Sequence, residues 1–428
     1  MFPACEVSFM FPRLPLRALL PVLFFLYALN FMDRSALGVL GGAIQADMGL
    51  SDAGMGLLHS ALLISLPLLI LPAAALNDIA GRRRMLSLAA ALWSGAMTLA
   101  GCAAGLVSFG TARFTAGVNE AFTGAGASSW LAAMYPPSRR GKVLGLFFMC
   151  LPAGMALGTF TGSLSLGLTG SWRPCFYLLA ACGLLTAVLV PLLPDAQPRV
   201  RAGAYASGIA LVLRSRTLLL TGLGAAMYNI ILYSYQSWTP TLLARAYGEE
   251  AGGTTGPAFA VMLLAGAIGA WAGGLLADRW QRRRRDGRVF AAMTAVLIMA
   301  FFKLLFYLCA GRVGYGPACV IGVVDGMFSI LPMAVLFSIV QDVAPEEYRS
   351  LSVGVMGTIS FLAGGAWGPL LTGMLSAALG EGAAGMGAAL ALSALAALPA
   401  CCFLYGMRAS YVAECLAAAR RSSSSSGE

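Results

Sequence analysis

Six ionisable side chains lie where such groups are costly. Asp33, Glu120 and Asp325, together with Arg34, Arg113 and Lys303, fall inside long runs of apolar residues. A charge in hydrocarbon costs at least ~2.5–3.5 kcal/mol even on lenient insertion scales, and normally marks a pathway or a paired site. The acids and bases balance, as a low-dielectric site requires if the groups pair. Burial disfavours the charged form of a carboxyl while a nearby guanidinium favours it, so moving Arg34 or Arg113 would switch a carboxyl between proton uptake and release. Asp33 and Glu120 are therefore the expected proton-coupling groups, with a permanent brace between two helices as the alternative. Arg34 suits bidentate binding of a carboxylate or phosphate. Arg113 and Glu120 lie two turns apart and share one helical face, although Arg113 is placed where it could instead snorkel to the surface.

The elements that carry these groups are membrane spans. Of 428 residues, 59% are hydrophobic and 11% charged, against roughly a quarter charged in soluble domains. A helix crossing a bilayer needs about 20 mostly apolar residues. Breaks at charged or Pro/Gly-rich segments give an all-α chain of twelve transmembrane helices near 17–41, 53–76, 85–106, 109–133, 142–167, 174–193, 217–241, 257–277, 289–310, 315–341, 350–378 and 385–407. Apart from Arg34, Arg113 and Lys303 within spans and Arg173, Arg245 and Arg312 opposite, every Lys and Arg falls on the N-terminal side. That asymmetry places both termini in the cytosol. Counting ~1.5 Å per residue sets Asp33, Glu120, Lys303 and Asp325 in one layer roughly 22 to 26 Å from the cytosolic helix ends.

The net charge of +10 suits a basic face against anionic headgroups and needs no nucleic acid. Ten cysteines without a CxxC and a single histidine, His59, indicate neither a disulfide framework nor a metal site. No nucleotide-binding loop or nucleophile–base pair is present, so an enzyme and a cofactor are not expected. The first span shows no cleavage pattern and reads as retained.

The chain divides into related halves, 1–194 and 217–408, joined by a cytosolic linker 195–216 and followed by a tail, 409–428, expected to be disordered. After the second span stands Ala74-x3-Asp78-x2-Gly81-Arg82-Arg83-Arg84; after the eighth, Gly274-x3-Asp278-Arg279-x2-Arg282-Arg283. Arg140 with Gly145 is echoed by Arg349 with Gly354. Internal repeats of this kind build many secondary transporters, with the binding site near the midplane between them.

The loop motif resembles that of the major facilitator superfamily, whose pattern is Gly-x3-Asp-x2-Gly-Arg-Arg/Lys. The resemblance implies two pseudo-symmetric six-helix halves working by alternating access, with Asp78, Gly81, Arg82, Arg83, Asp278, Arg279 and Arg282 as gating residues that brace the halves in the outward-facing state. Asn30-Phe31-Met32-Asp33-Arg34, Gly117-Val118-Asn119-Glu120-Ala121 and Pro152-x-Gly154-x3-Gly158-x3-Gly162 are similar to the spinster-like group of lipid-type transporters. Organic-anion symporters carry a comparable Asn-x2-Asp-Arg and Arg-x3-Gly-x2-Glu. The superfamily resemblance implies that spans one, four, seven and ten line the cavity. Asn229, Tyr233 and Gln236 share one side of span seven, so they join Asn30, Arg34, Arg113, Asn119 and Asp325 as expected substrate contacts. Lys303 is read as an ion-pair partner of Asp325, and His59 as a pH-sensing candidate or an ordinary hydrogen-bonded histidine.

The expected function is a proton-coupled carrier in a bacterial inner membrane, acting as a monomer among membrane lipid. Its cargo is an anionic or amphipathic small molecule, lysolipid- or sphingoid-like. A small, polar, closed cavity would favour an organic carboxylate or sulfonate symporter instead. A sensor that keeps the carrier fold without turnover is the third reading.

Overall fold

The computed structural model describes residues 14–194, 212–251, 253–344 and 349–425, and every regular element among them is helical. The first half contains α1 (Leu19–Met48), α2 (Asp52–Ala80), α3 (Arg82–Gly101), α4 (Leu106–Met134), α5 (Pro137–Phe148), α6 (Cys150–Thr169) and α7 (Arg173–Leu189). The second contains α8 (Arg216–Tyr247), α9 (Thr255–Gln281), α10 (Gly287–Cys309), α11 (Tyr315–Ser329), α12 (Leu331–Val343), α13 (Arg349–Ser360), α14 (Gly368–Leu379), α15 (Ala383–Ala394) and α16 (Ala397–Gly406), followed by α17 (Arg408–Ser425). Most of the linker, residues 195–211, lies outside the described residues.

Ten stretches among the described residues are long and apolar enough to cross a bilayer. Helices α3 and α4 fall outside that set; α3 begins on Arg82-Arg83-Arg84 and α4 carries Arg113, Asn119 and Glu120. Four of the spans expected as single helices are interrupted. The chain bends at Met149 between α5 and α6, and at Ile330 before Pro332, where proline removes a backbone donor. A π-turn over Phe361–Gly365 separates α13 from α14. It lets Gly364 pack directly on the Ala226 carbonyl of α8, where a Cβ would collide. The fourth break falls at Leu395–Ala396, between α15 and α16.

Small residues set the helix contacts that position the site. A Cβ on Gly154 would stand 2.5 Å from the Ala28 carbonyl oxygen, and one on Gly158 would strike that of Met32, so α6 lies directly on α1. Between the halves, α2 packs on α14, α6 on α9 and α1 on α8. A Cβ on Gly56 would come within 2.8 Å of the Pro369 carbonyl oxygen, and one on Gly256 would strike Ser163.

The tail departs from expectation, because α17 is a helix rather than a disordered segment. Tyr411 is fully buried and donates to Asp342 Oδ2 (2.5 Å), while Glu414 accepts from the Ser215 hydroxyl (2.5 Å) and the Thr217 amide (3.3 Å) at the start of α8. Its Ala, Leu and Glu residues favour helix, and this docking supplies the tertiary contacts that a short helix needs.

Candidate functional site

Asn30, Asp33 and Arg34 occupy neighbouring positions on one face of α1, and Arg113, Asn119 and Glu120 face them from α4. Three side-chain links join the two helices. Arg113 Nη1 bonds Asp33 Oδ1, Arg34 Nη2 bonds Glu120 Oε2 at 2.5 Å, and the Asn119 amide donates to Asn30 Oδ1 at 2.9 Å. Thr123 donates to Asn119 Oδ1 (3.1 Å) and fixes its orientation. The two ion pairs differ in burial: Arg113 and Asp33 are 1% and 0% exposed, Arg34 and Glu120 11% and 10%. Arg113 is thus a paired interior group and does not snorkel.

A narrow cavity of about 20 Å³ lies beside these pairs, at the junction of the halves. Its polar wall is Arg34, Ser35, His59, Arg113, Tyr233, Gln236 and Ser237. The Arg34 guanidinium lies 5.4 Å from the centre of the Tyr233 ring, a contact that crosses from one half to the other. The Nε atoms of Arg34 and Arg113 and the Nε2 of His59 are buried without a hydrogen-bond partner. Gln236 reaches only the Met155 sulfur, at 3.9 Å. Met155, Phe259, Leu63 and Leu263 complete the lining, and sequence reasoning did not single out any of these four.

Other expected contacts lie elsewhere. Asn229 spends its amide on the Ser360 hydroxyl of α13, and Asn30 and Asn119 are taken up by each other. Asp325, expected among the substrate contacts or as the ion-pair partner of Lys303, is fully buried and bound to Lys303 Nζ at 2.6 Å, and it is not among the residues that line the cavity. His59, 6% exposed, stands 5.7 Å from the Trp238 ring.

Among the expected gating residues, Gly81 adopts φ 91°, which a side chain would strain. Arg82 donates to the Ser129 carbonyl within its own half (3.4 Å). Asp278 accepts from Arg288 (3.1 Å), which also binds Asp342, again within one half. Arg279 lies in the last turn of α9, and Arg282 is the residue that follows its end. The side chain of Asp78 lies outside the described residues, and Arg83 flanks Arg82 at the start of α3.

The opposite end of the molecule is joined across the halves. Asp52, the first residue of α2 and fully buried, accepts from Arg245 of α8 at 2.7 and 2.5 Å, from Ser376 of α14 at 2.6 Å and from Gln45 at 2.8 Å. Its backbone amide donates to Glu381 Oε1 at 3.0 Å. Glu381 holds φ 49°, the one non-glycine residue with positive φ among the described residues. The Leu370 amide donates to Ser60 Oγ (3.1 Å) nearby. Sequence reasoning singles out only Arg245 of this group, as a basic residue opposite the arginine-rich side; most of the partners are distant in sequence, and no local signal pairs them.

Residues 23–369 match the sequence model of the Major Facilitator Superfamily. The chain is 29% identical over 378 residues to a hexuronate transporter of Bacillus subtilis (strain 168), covering 83% of this chain and 87% of that protein. It is 24% identical over 412 residues to protein spinster homolog 3 of Mus musculus, covering 88% and 78%. The crystal structure of a bacterial homolog to human lysosomal transporter Spinster, in an inward-facing and occupied conformation, is similar with a TM-score of 0.74 at 21% identity, covering 95% of this chain and 97% of that one. With its helical repeats and paired intramembrane charges, this multi-pass membrane chain belongs to the major facilitator superfamily and is a transporter, not an enzyme.

Proposed function

We propose that the chain is a proton-coupled carrier of a small organic anion, a carboxylate of sugar-acid size. The observation that carries this reading is the cavity: two guanidiniums and a histidine line it with unpaired nitrogen atoms, beside a glutamine held only by a weak bond to sulfur. In this closed arrangement the enclosed space is small, about 20 Å³, room for little more than a water, so it must widen as the halves part to admit a sugar acid. A relative named for hexuronate transport is consistent with that chemistry. In this reading α3 and α4 complete twelve spans, the arginine-rich face is cytosolic, and the Asp52 end faces outward.

Charge balance supplies the coupling. Asp33, Glu120, Arg34 and Arg113 sum to zero, so an anion entering alone would leave the interior negative. When a carboxylate takes the Arg34 guanidinium, Glu120 loses its counter-ion and takes up a proton, and neutrality is kept. Asp33, sealed against Arg113, holds that second guanidinium in place.

The test is reconstitution in liposomes with an internal pH dye, offering hexuronates and sugar diacids in one set and lysophospholipids and sphingoid bases in another. Proton movement driven by the acids in wild type, and lost in Glu120→Gln, is the expected result. Movement driven only by the amphiphiles would transfer the site to a lysolipid-like cargo. Acid transport with coupling unchanged in Glu120→Gln would remove that residue from the proton path, and binding without transport would favour a sensor.

A further inference from the structure

The second half buries a separate polar cluster at the meeting of α8, α10 and α11. Lys303 and Asp325 are both fully buried. The ammonium of Lys303 is completely partnered: Asp325 Oδ2 at 2.6 Å, Ser329 Oγ at 2.7 Å, and the Tyr235 ring face at 3.0 Å from its centre. The carboxylate is not. Asp325 Oδ1 is buried without a hydrogen-bond partner, as are the Tyr235 and Tyr307 hydroxyls. Buried polar groups are rarely left unpaired, and each exception asks for a missing occupant.

The surroundings narrow the occupant. Against this face α9 brings no titratable group: Met262 and Gly266 meet Gly322 and Gly326, and Phe259 meets Tyr235. The groups facing Asp325 are therefore Lys303 and Tyr307 from α10, Tyr235 from α8 and Ser329 from α11. A metal cation is opposed by the ammonium already seated there. A proton fits: added to Oδ1 from water, it turns the carboxylate into a carboxylic acid whose O–H can donate to a phenol oxygen or a trapped water. Lys303 then keeps Ser329 and the Tyr235 ring.

We propose that Asp325 is a second proton-binding site, apart from the substrate cavity, in which Lys303 sets the affinity for the proton. Tyr235 connects it to the transport cycle. That ring packs on Phe259 of the cavity wall (5.4 Å between centres) and lies on α8, the helix that meets α1 across the halves. The site does not depend on the identity of the cargo or on the role of Glu120.

Infrared difference spectra of the purified full chain, titrated from mildly acidic to mildly alkaline pH without substrate, test it directly. Wild type is expected to show a carboxylic-acid C=O band that grows on acidification, persists in the Asp33→Asn/Glu120→Gln variant and is lost in Asp325→Asn. In Lys303→Met, removal of the ammonium should leave the carboxyl protonated throughout, so the band stays but stops titrating. The Lys303→Met/Asp325→Asn variant buries no unpaired charge; it should keep the wild-type melting temperature and lack the band, which supplies the comparison if a single variant fails to fold. A spectrum of either Asp325→Asn chain identical to wild type would overturn the proposal and leave the pair as a fixed brace.

Discussion

The two ion pairs of the first half use the same chemistry and differ by exposure, and that difference assigns their work. Removing one member of a fully buried pair strands the other, at a cost of about 3–5 kcal/mol. Asp33→Asn, which leaves Arg113 alone in the interior, should therefore lower the melting temperature sharply. Glu120→Gln, beside the partly open Arg34, should melt close to wild type while losing coupling. If the two variants melted alike, the division into brace and exchanger would be wrong. Arg34→Lys keeps charge but loses the planar fork, so it should weaken acid-driven flux at least tenfold with little change in melting. The sequence already exposed these residues, because charges in an apolar helix have few possible partners and Arg113 and Glu120 repeat at helical spacing. The Lys303–Asp325 pair was also legible, and the two groups do bond; that Asn229 turns to Ser360 was not, since that face assignment depends on a neighbouring helix.

At the scale of elements, glycine spacing was legible and breaks were not. Gly154 and Gly158 lie along one face of α6 and meet α1 backbone; Gly158→Ala should force α6 off α1 and cost roughly 1–3 kcal/mol of overpacking, read as a lower melting temperature. The π-turn at Phe361–Gly365 and the helix α17 depend on contacts far away in sequence, so local composition misread them. The first residue of α17, Arg408, bonds Asp286 Oδ2 at 2.5 Å, and Arg284 adds a bond at 3.1 Å. Burial pushes the Asp286 carboxyl up, but these two bonds outweigh it and hold the group below its ordinary value. A depressed carboxylate contributes stability that is present above its unfolded pKa and lost as pH falls through the folded one. Protease sensitivity of the α17 segment should therefore rise only in strongly acid buffer. Asp286→Asn should show the raised sensitivity already at neutral pH; equal cleavage of the two chains there would separate this ion pair from the docking of the helix.

The whole molecule is fastened at one end and not by the same means at the other. Asp52 gathers Arg245, Ser376 and Gln45, and Glu381 holds its amide, so that α1 and α2 are bound to α8 and α14. At the arginine-rich end Asp278 and Arg288 are engaged within one half. An alternating-access carrier must exchange these conditions, and in the orientation proposed above breaking the Asp52 network is the step expected to open the outer side. Hydrogen bonds to charged groups contribute about 1.5–3 kcal/mol each, so losing even one shifts a two-state balance by roughly tenfold or more. Arg245→Ala should expose the cavity to the outside. A cysteine at Ser237, which lines that cavity, in a chain whose native cysteines are serine, should then react roughly tenfold faster with a membrane-impermeant thiol reagent applied from outside. Arg245→Lys, which retains one charge-assisted bond, should fall between. Unchanged labelling in Arg245→Ala would mean that the glycine contacts of α2 with α14, and not the charges, keep this end closed. Gly56→Leu, which intrudes on the Pro369 carbonyl, would then be the variant that opens it.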